Sequence, residues 1–145
     1  FHPHCYASEG LYIAGNYFDN KEYLEASKKA TSYLFNIQLE NGGIPQMFKG
    51  NRLVKFERSD ILGQALRMGV LFNINKKNLE RVAKRLLEFQ NLKELQKGGF
   101  IYGYDNSGKK YEHVNSWCTM FALQALELYK QSLDMNINFD GFLII

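Results

Sequence analysis

Tyr33-Leu34-Phe35-Asn36-Ile37-Gln38, followed by Gly42-Gly43-Ile44, recurs as Arg85-Leu86-Leu87-Glu88-Phe89-Gln90, followed by Gly98-Gly99-Phe100. The two glycine pairs lie 56 residues apart, and the second connection is four residues longer. A second element repeats as well: Gly63-Gln64-Ala65-Leu66-Arg67 matches Leu123-Gln124-Ala125-Leu126-Glu127, with a fainter copy at Ser8-Glu9-Gly10-Leu11-Tyr12. A period of this length is the mark of a repeat architecture, in which each unit buries its apolar face on its neighbours.

The two kinds of element differ in periodicity. Over residues 21–38, Tyr23, Ala26, Ala30, Tyr33, Leu34 and Ile37 space out as one apolar stripe, and over 76–90, Leu79, Val82, Ala83, Leu86 and Phe89 do the same. One-sided helices belong to an outer layer. Asp19 with Glu22, and Asn75, offer their start signals. Residues 61–72 and 117–129 are apolar almost all round, as expected of helices enclosed between layers. The order inner, outer, inner, outer, inner predicts an all-α fold: an incomplete α/α toroid of about two and a half hairpin repeats in a single domain over 1–145, with a tail over 132–145. Links from inner to outer helices are short. Those from outer to inner run from Leu39 to Glu57 and from Asn91 to Glu112, long enough to carry a site, with possible extended pieces at 44–48 and 100–104.

Eighteen Lys and Arg against 15 Asp and Glu leave a net charge of +3, too small and too mixed to imply nucleic acid. No apolar run approaches the length of a membrane span. Cys5 and Cys118 make no disulfide framework, so a reducing, cytoplasmic setting is the default. The chain opens on Phe1-His2-Pro3-His4 without an initiator Met, as the C-terminal portion of a longer protein would. Unpartnered flanks on the first and last inner helices would make such a piece self-associate.

Leu87-Glu88-Phe89-Gln90 with Gly98-Gly99-Phe100, then His113-Val114-Asn115-Ser116-Trp117 and Ala122-Leu123-Gln124-Ala125-Leu126, resembles the repeat of the terpenoid cyclase and protein prenyltransferase toroids. The layout is also similar to carbohydrate-active α/α toroids, among them uronate lyases, sugar epimerases and unsaturated-glycoside hydrolases. The aspartate-rich acid motif of the cyclases and the Asp-x-Cys zinc pair of the prenyltransferases are both missing from this sequence.

The three histidines and both cysteines fall at inner-helix starts, together with Tyr6, Glu9, Glu57, Arg58, Asp60, Glu112, Asn115 and Trp117. If those starts face one cavity, their dipoles and Arg58 favour an anion. His4, Glu9, Asp60 and His113 are then the candidate acids and bases, and Tyr6, Arg58, Tyr102, Asn115 and Trp117 the candidate substrate contacts. That set fits acid–base chemistry next to a uronate carboxylate, with no cofactor and no metal, on a small-molecule or oligosaccharide substrate. The same residues also have scaffold roles: Glu9, Gln64 and Gln124 as interhelical hydrogen-bonding positions, Arg58 with Asp60 as an ion pair and cap, Asn115 as a cap, and Trp117 as core. Two other functions stay open. A wholly apolar cavity would point to an isoprenoid, and a filled centre to a non-catalytic scaffold.

Overall fold

The computed structural model describes residues 1–134. Five helices appear where the repeat places them: α1 (His2–Tyr17), α2 (Lys21–Asn36), α3 (Ser59–Leu71), α4 (Lys76–Leu87) and α5 (Ser116–Leu133). The expected all-α toroid is not what forms. Both long links fold into antiparallel β-hairpins, β1 (Met47–Lys49) with β2 (Arg52–Val54), and β3 (Ile101–Tyr104) with β4 (Lys110–Val114). The described residues are therefore mostly helical, with two small separate sheets. The cause is local. Each glycine pair throws the backbone into a sharp turn, with φ at +92° at both Gly42 and Gly98, and the strand-forming residues that follow pair across the next turn.

The turn itself repeats. Gln38 Nε2 donates to the Gly42 carbonyl at 2.9 Å, and Gln90 Nε2 to the Gly98 carbonyl at 3.2 Å. Each outer helix is thus followed, just past its end, by a glutamine whose side chain closes the glycine-pair turn. The short links repeat too. Asp19 and Asn73 both take the left-handed conformation, at φ +50° and +51°, which lets Asn20 N reach the Gly15 carbonyl and Ile74 N the Gly69 carbonyl. Asn20, rather than Asp19, then caps α2 by accepting from Tyr23 N, and Asn75 caps α4 by accepting from Lys77 N.

Helix α3 lies against α1 on one side and α5 on the other. Only α3 is enclosed all round; its twelve residues from Ser59 to Val70 are all buried. The flanking α1 and α5 leave Ile13, Tyr17, Leu123 and Leu133 exposed, because each has the α3 layer on one side only. Helix α4 buries Leu79, Val82, Ala83 and Leu86, as its period requires. Of the expected stripe, helix α2 fully buries only Leu34. It turns Ser27, Thr31, Leu34 and Phe35 inward and leaves Tyr23 and Tyr33 exposed. Ser27 and Thr31 meet Ser8 of α1 in a buried hydroxyl cluster, with Ser8 Oγ 2.9 Å from Thr31 Oγ1 and Ser27 Oγ donating to the Ser8 carbonyl at 2.6 Å. Small side chains whose hydroxyls are all bonded bury cheaply and bring the two helices close. Most of the tail expected over 132–145 lies outside the described residues, and its first two residues belong to α5.

Candidate functional site

The N-terminal ends of α1, α3 and α5 meet. Asp60 is 1% exposed at the start of α3, and it collects the charges. Its Oδ1 accepts from Arg58 Nε at 3.1 Å and from Ile61 N at 2.9 Å, while Oδ2 accepts from Arg58 Nη2 at 2.5 Å. From α1, His2 Nδ1 stands 3.2 Å from Asp60 Oδ2, at ion-pair distance but outside hydrogen-bond alignment. From α5, Phe121 packs edge-on to both His2 and Tyr6, and Trp117 edge-on to Phe121. Trp117 is 50% exposed and Tyr6 38%, so two aromatic side chains stand open beside a buried charged group.

The arrangement follows from helix phase. His2, Tyr6 and Glu9 on α1, Asp60, Gln64 and Arg67 on α3, and Trp117, Phe121 and Gln124 on α5 each sit at i, i+4 and i+7. Each set therefore lines one face of its helix. The three faces form a seam. His2 and Asp60 occupy its top, Tyr6 and Phe121 its middle, and Glu9, Arg67 and Gln124 its base. There, Arg67 Nη1 lies 3.0 Å from Glu9 Oε1 and donates to Gln124 Oε1 at 3.2 Å. Gln64 is 2% exposed, with both ends of its amide lacking a hydrogen bond.

Of the candidate acids and bases, only Asp60 lies at this junction with access to a charged partner set. His4 points the other way. Its Nε2 lies 2.8 Å from the Ala30 carbonyl of α2, and its ring packs near Phe1 and Tyr33. Positions 4 and 6 are about 200° apart around a helix, so His4 and Tyr6 cannot share a face. Glu9 is at the seam's base, committed to Arg67. His113 is exposed on β4 against Tyr111, and reaches the junction only through a chain of rings, Tyr111 on Tyr102 and Tyr102 under Arg58.

Among the candidate contacts, Arg58, Tyr6 and Trp117 are brought together. One face of Tyr102 is taken by the Arg58 guanidinium, 4.6 Å from the ring centroid. Asn115 caps α5, accepting from Cys118 N at 3.1 Å. Glu57 turns away to Arg85, and Glu112 stands beside Lys93 and Lys110 on the second hairpin. Phe121 is the residue that sequence reasoning passed over, while His2 was grouped with the helix starts but not among the acids and bases, and Gln64 was given an interhelical role alone. The i, i+4 spacing of His2 with Tyr6 and of Asp60 with Gln64 was the signal for them.

Burial pushes the His2 imidazole below its ordinary value of 6.5, with Asp60 opposing and Arg58 reinforcing that shift. Burial likewise pushes the Glu9 carboxyl up, against the pull of Arg67. Cys5, fully enclosed, is pushed up to about 12, which leaves it an inert core thiol. Among the described residues no group of three or more His, Cys, Asp or Glu is placed to hold a metal ion. None of their helices is long and apolar enough to cross a membrane.

No family model, no curated protein and no solved structure matches this chain.

Proposed function

We propose that the junction of α1, α3 and α5 is a binding site for a uronate-containing glycan, and that the protein is an acid–base enzyme of carbohydrate metabolism or a degenerate relative of one. The observation that carries this is the Arg58–Asp60–His2 group at three converging helix starts, flanked by the half-exposed rings of Trp117 and Tyr6. Sugar rings stack on such aromatic faces, while a carboxylate is drawn to positive helix ends and to a guanidinium. Arg58 uses Nε and Nη2 on Asp60, which leaves Nη1 for a ligand. His2, neutral near pH 7 because of its burial, is the group suited to accept a proton, with Asp60 beside it to stabilise the imidazolium that results. The mixture of charged, polar and aromatic groups favours a sugar over an isoprenoid, which would ask for an apolar lining.

Calorimetry with galacturonate and glucuronate oligosaccharides tests the proposal. Binding is expected, weakened about tenfold by Trp117→Ala and by Arg58→Lys, each removing roughly 1.4 kcal/mol of stacking or of forked hydrogen bonding. If no uronate binds, or if both variants bind as the parent does, the site is wrong.

His2 also makes stability depend on pH. Its folded-state proton affinity lies below that of the unfolded chain, so the unfolded state binds the extra proton first. That costs nothing well above pH 6.5 and destabilises progressively as pH falls below it. Urea midpoints of the parent and of His2→Gln should therefore diverge between pH 7 and pH 5, the variant losing less. Parallel curves would show that His2 does not titrate as described.

A further inference from the structure

We infer that the β1–β2 hairpin is an extension of this site that takes the continuing chain of an acidic polysaccharide; the identity of the polymer rests on the function proposed above. Between Glu40 and Glu57 the sequence holds no acid, yet Lys49, Arg52 and Lys55 fall there within seven residues, all exposed. Lys49 and Arg52 are direct cross-strand partners, on either side of Gly50-Asn51. Like charges facing one another across a two-stranded ladder repel. None of the three side chains has an ion pair, hydrogen bond or ring contact among the described residues, so no group among them relieves that repulsion.

The second hairpin occupies the same place in the other repeat, and its charges are balanced. Lys110 and Lys93 lie 3.4 and 3.8 Å from the two oxygens of Glu112, and Lys109 packs over Tyr111 at 5.2 Å. The unbalanced charge is thus a property of the first hairpin and not of the repeat.

The hairpin is also continuous with the junction. Gln46, just before β1, donates from Nε2 to the Tyr104 carbonyl at 3.2 Å, and Phe56, just after β2, stacks on the Tyr104 ring at 6.2 Å. Tyr104 ends the strand whose Tyr102 lies under Arg58. From that base the hairpin runs outward past Phe48, itself 45% exposed, to a tip where a Cβ on Gly50 would meet nothing within 4 Å. A regularly charged, flexible polyanion leaving Arg58 along this ribbon meets Lys55 near its base, then Arg52 and Lys49, which share one face of the ladder. Each contact is exposed and individually weak, so the gain comes from having several on one tethered ligand.

The test is calorimetry of the parent and of the triple variant Lys49→Ser, Arg52→Ser, Lys55→Ser, with galacturonate trimer, a long galacturonate oligomer and single-stranded oligothymidylate. The three positions are exposed, so the variant should fold as the parent does. The parent is expected to bind the long oligomer at least about tenfold more tightly than the trimer at low salt, and the variant to lose that advantage while keeping its trimer affinity. Tight long-oligomer binding that the variant loses, with no trimer binding in either protein, supports the hairpin and removes the junction. An unchanged length advantage in the variant, or none in the parent, overturns the hairpin while trimer binding leaves the junction standing. Hairpin-dependent binding of oligothymidylate tighter than that of the galacturonate oligomer overturns it in favour of a nucleic acid.

Discussion

Glu57→Ala is expected to destabilise the fold by about 3 kcal/mol. Glu57 is buried between the first hairpin and α3, and accepts from Arg85 Nε and Nη2, each at 2.9 Å, and from Asn41 Nδ2 at 2.8 Å. It therefore ties the glycine-pair turn that follows α2 to the last turn of α4. Its loss would leave the Arg85 guanidinium largely buried with only the exposed Glu88 to face. Breaking one half of a buried pair costs more than the pair is worth, because the remaining charge stays desolvated. The double variant Glu57→Ala, Arg85→Met should consequently recover much of the loss. Urea denaturation of the two singles and the double measures this as a cycle. Additive losses in the double would show that the two residues act separately.

Gly42→Ala and Gly98→Ala form the second large prediction, because the repeat makes one the control for the other. Both glycines have φ at +92°, where an L side chain costs about 1–2 kcal/mol. At Gly98 a Cβ would meet nothing within 4 Å, so that conformational cost is the whole expected effect. At Gly42 the same Cβ would come 2.5 Å from the carbonyl oxygen of Arg81 in α4. That backbone sits in a helix and cannot step aside alone, so the loss there should reach about 3 kcal/mol or more. Equal losses at the two positions would mean that the turn after α2 relaxes away from α4 without penalty.

The parts of this molecule differ in how far they can be read in the linear chain. The glycine pairs, the closing glutamines Gln38 and Gln90, and the five helices were all visible as a period. The strands were not, beyond a hint at 44–48 and 100–104. Six strand residues in the first link and nine in the second carry too little alternation to stand out. The strands depend on the turns between them, and β3 also on packing against α3 and α5. The face of α2 was misjudged because composition favoured Tyr23 and Tyr33 over Ser27 and Thr31. Apolarity alone does not report that three hydroxyls can satisfy one another inside an interface.

At the junction, proximity in sequence to a helix start was a poor guide and angular phase a better one. His2, Tyr6, Asp60, Gln64, Trp117 and Phe121 share facing sides at spacings of four, whereas His4 is turned onto α2. The repeat, the helix order and the end of each helix at which polar groups gather can all be read along the chain, since they follow from local spacing and turn chemistry. That both long links become hairpins, that Glu57 serves Arg85 and not the junction, and that His2 rather than His4 meets Asp60 emerge from the folded packing alone. Each of those depends on which side chain faces which across elements tens of residues apart, a relation that no local period encodes.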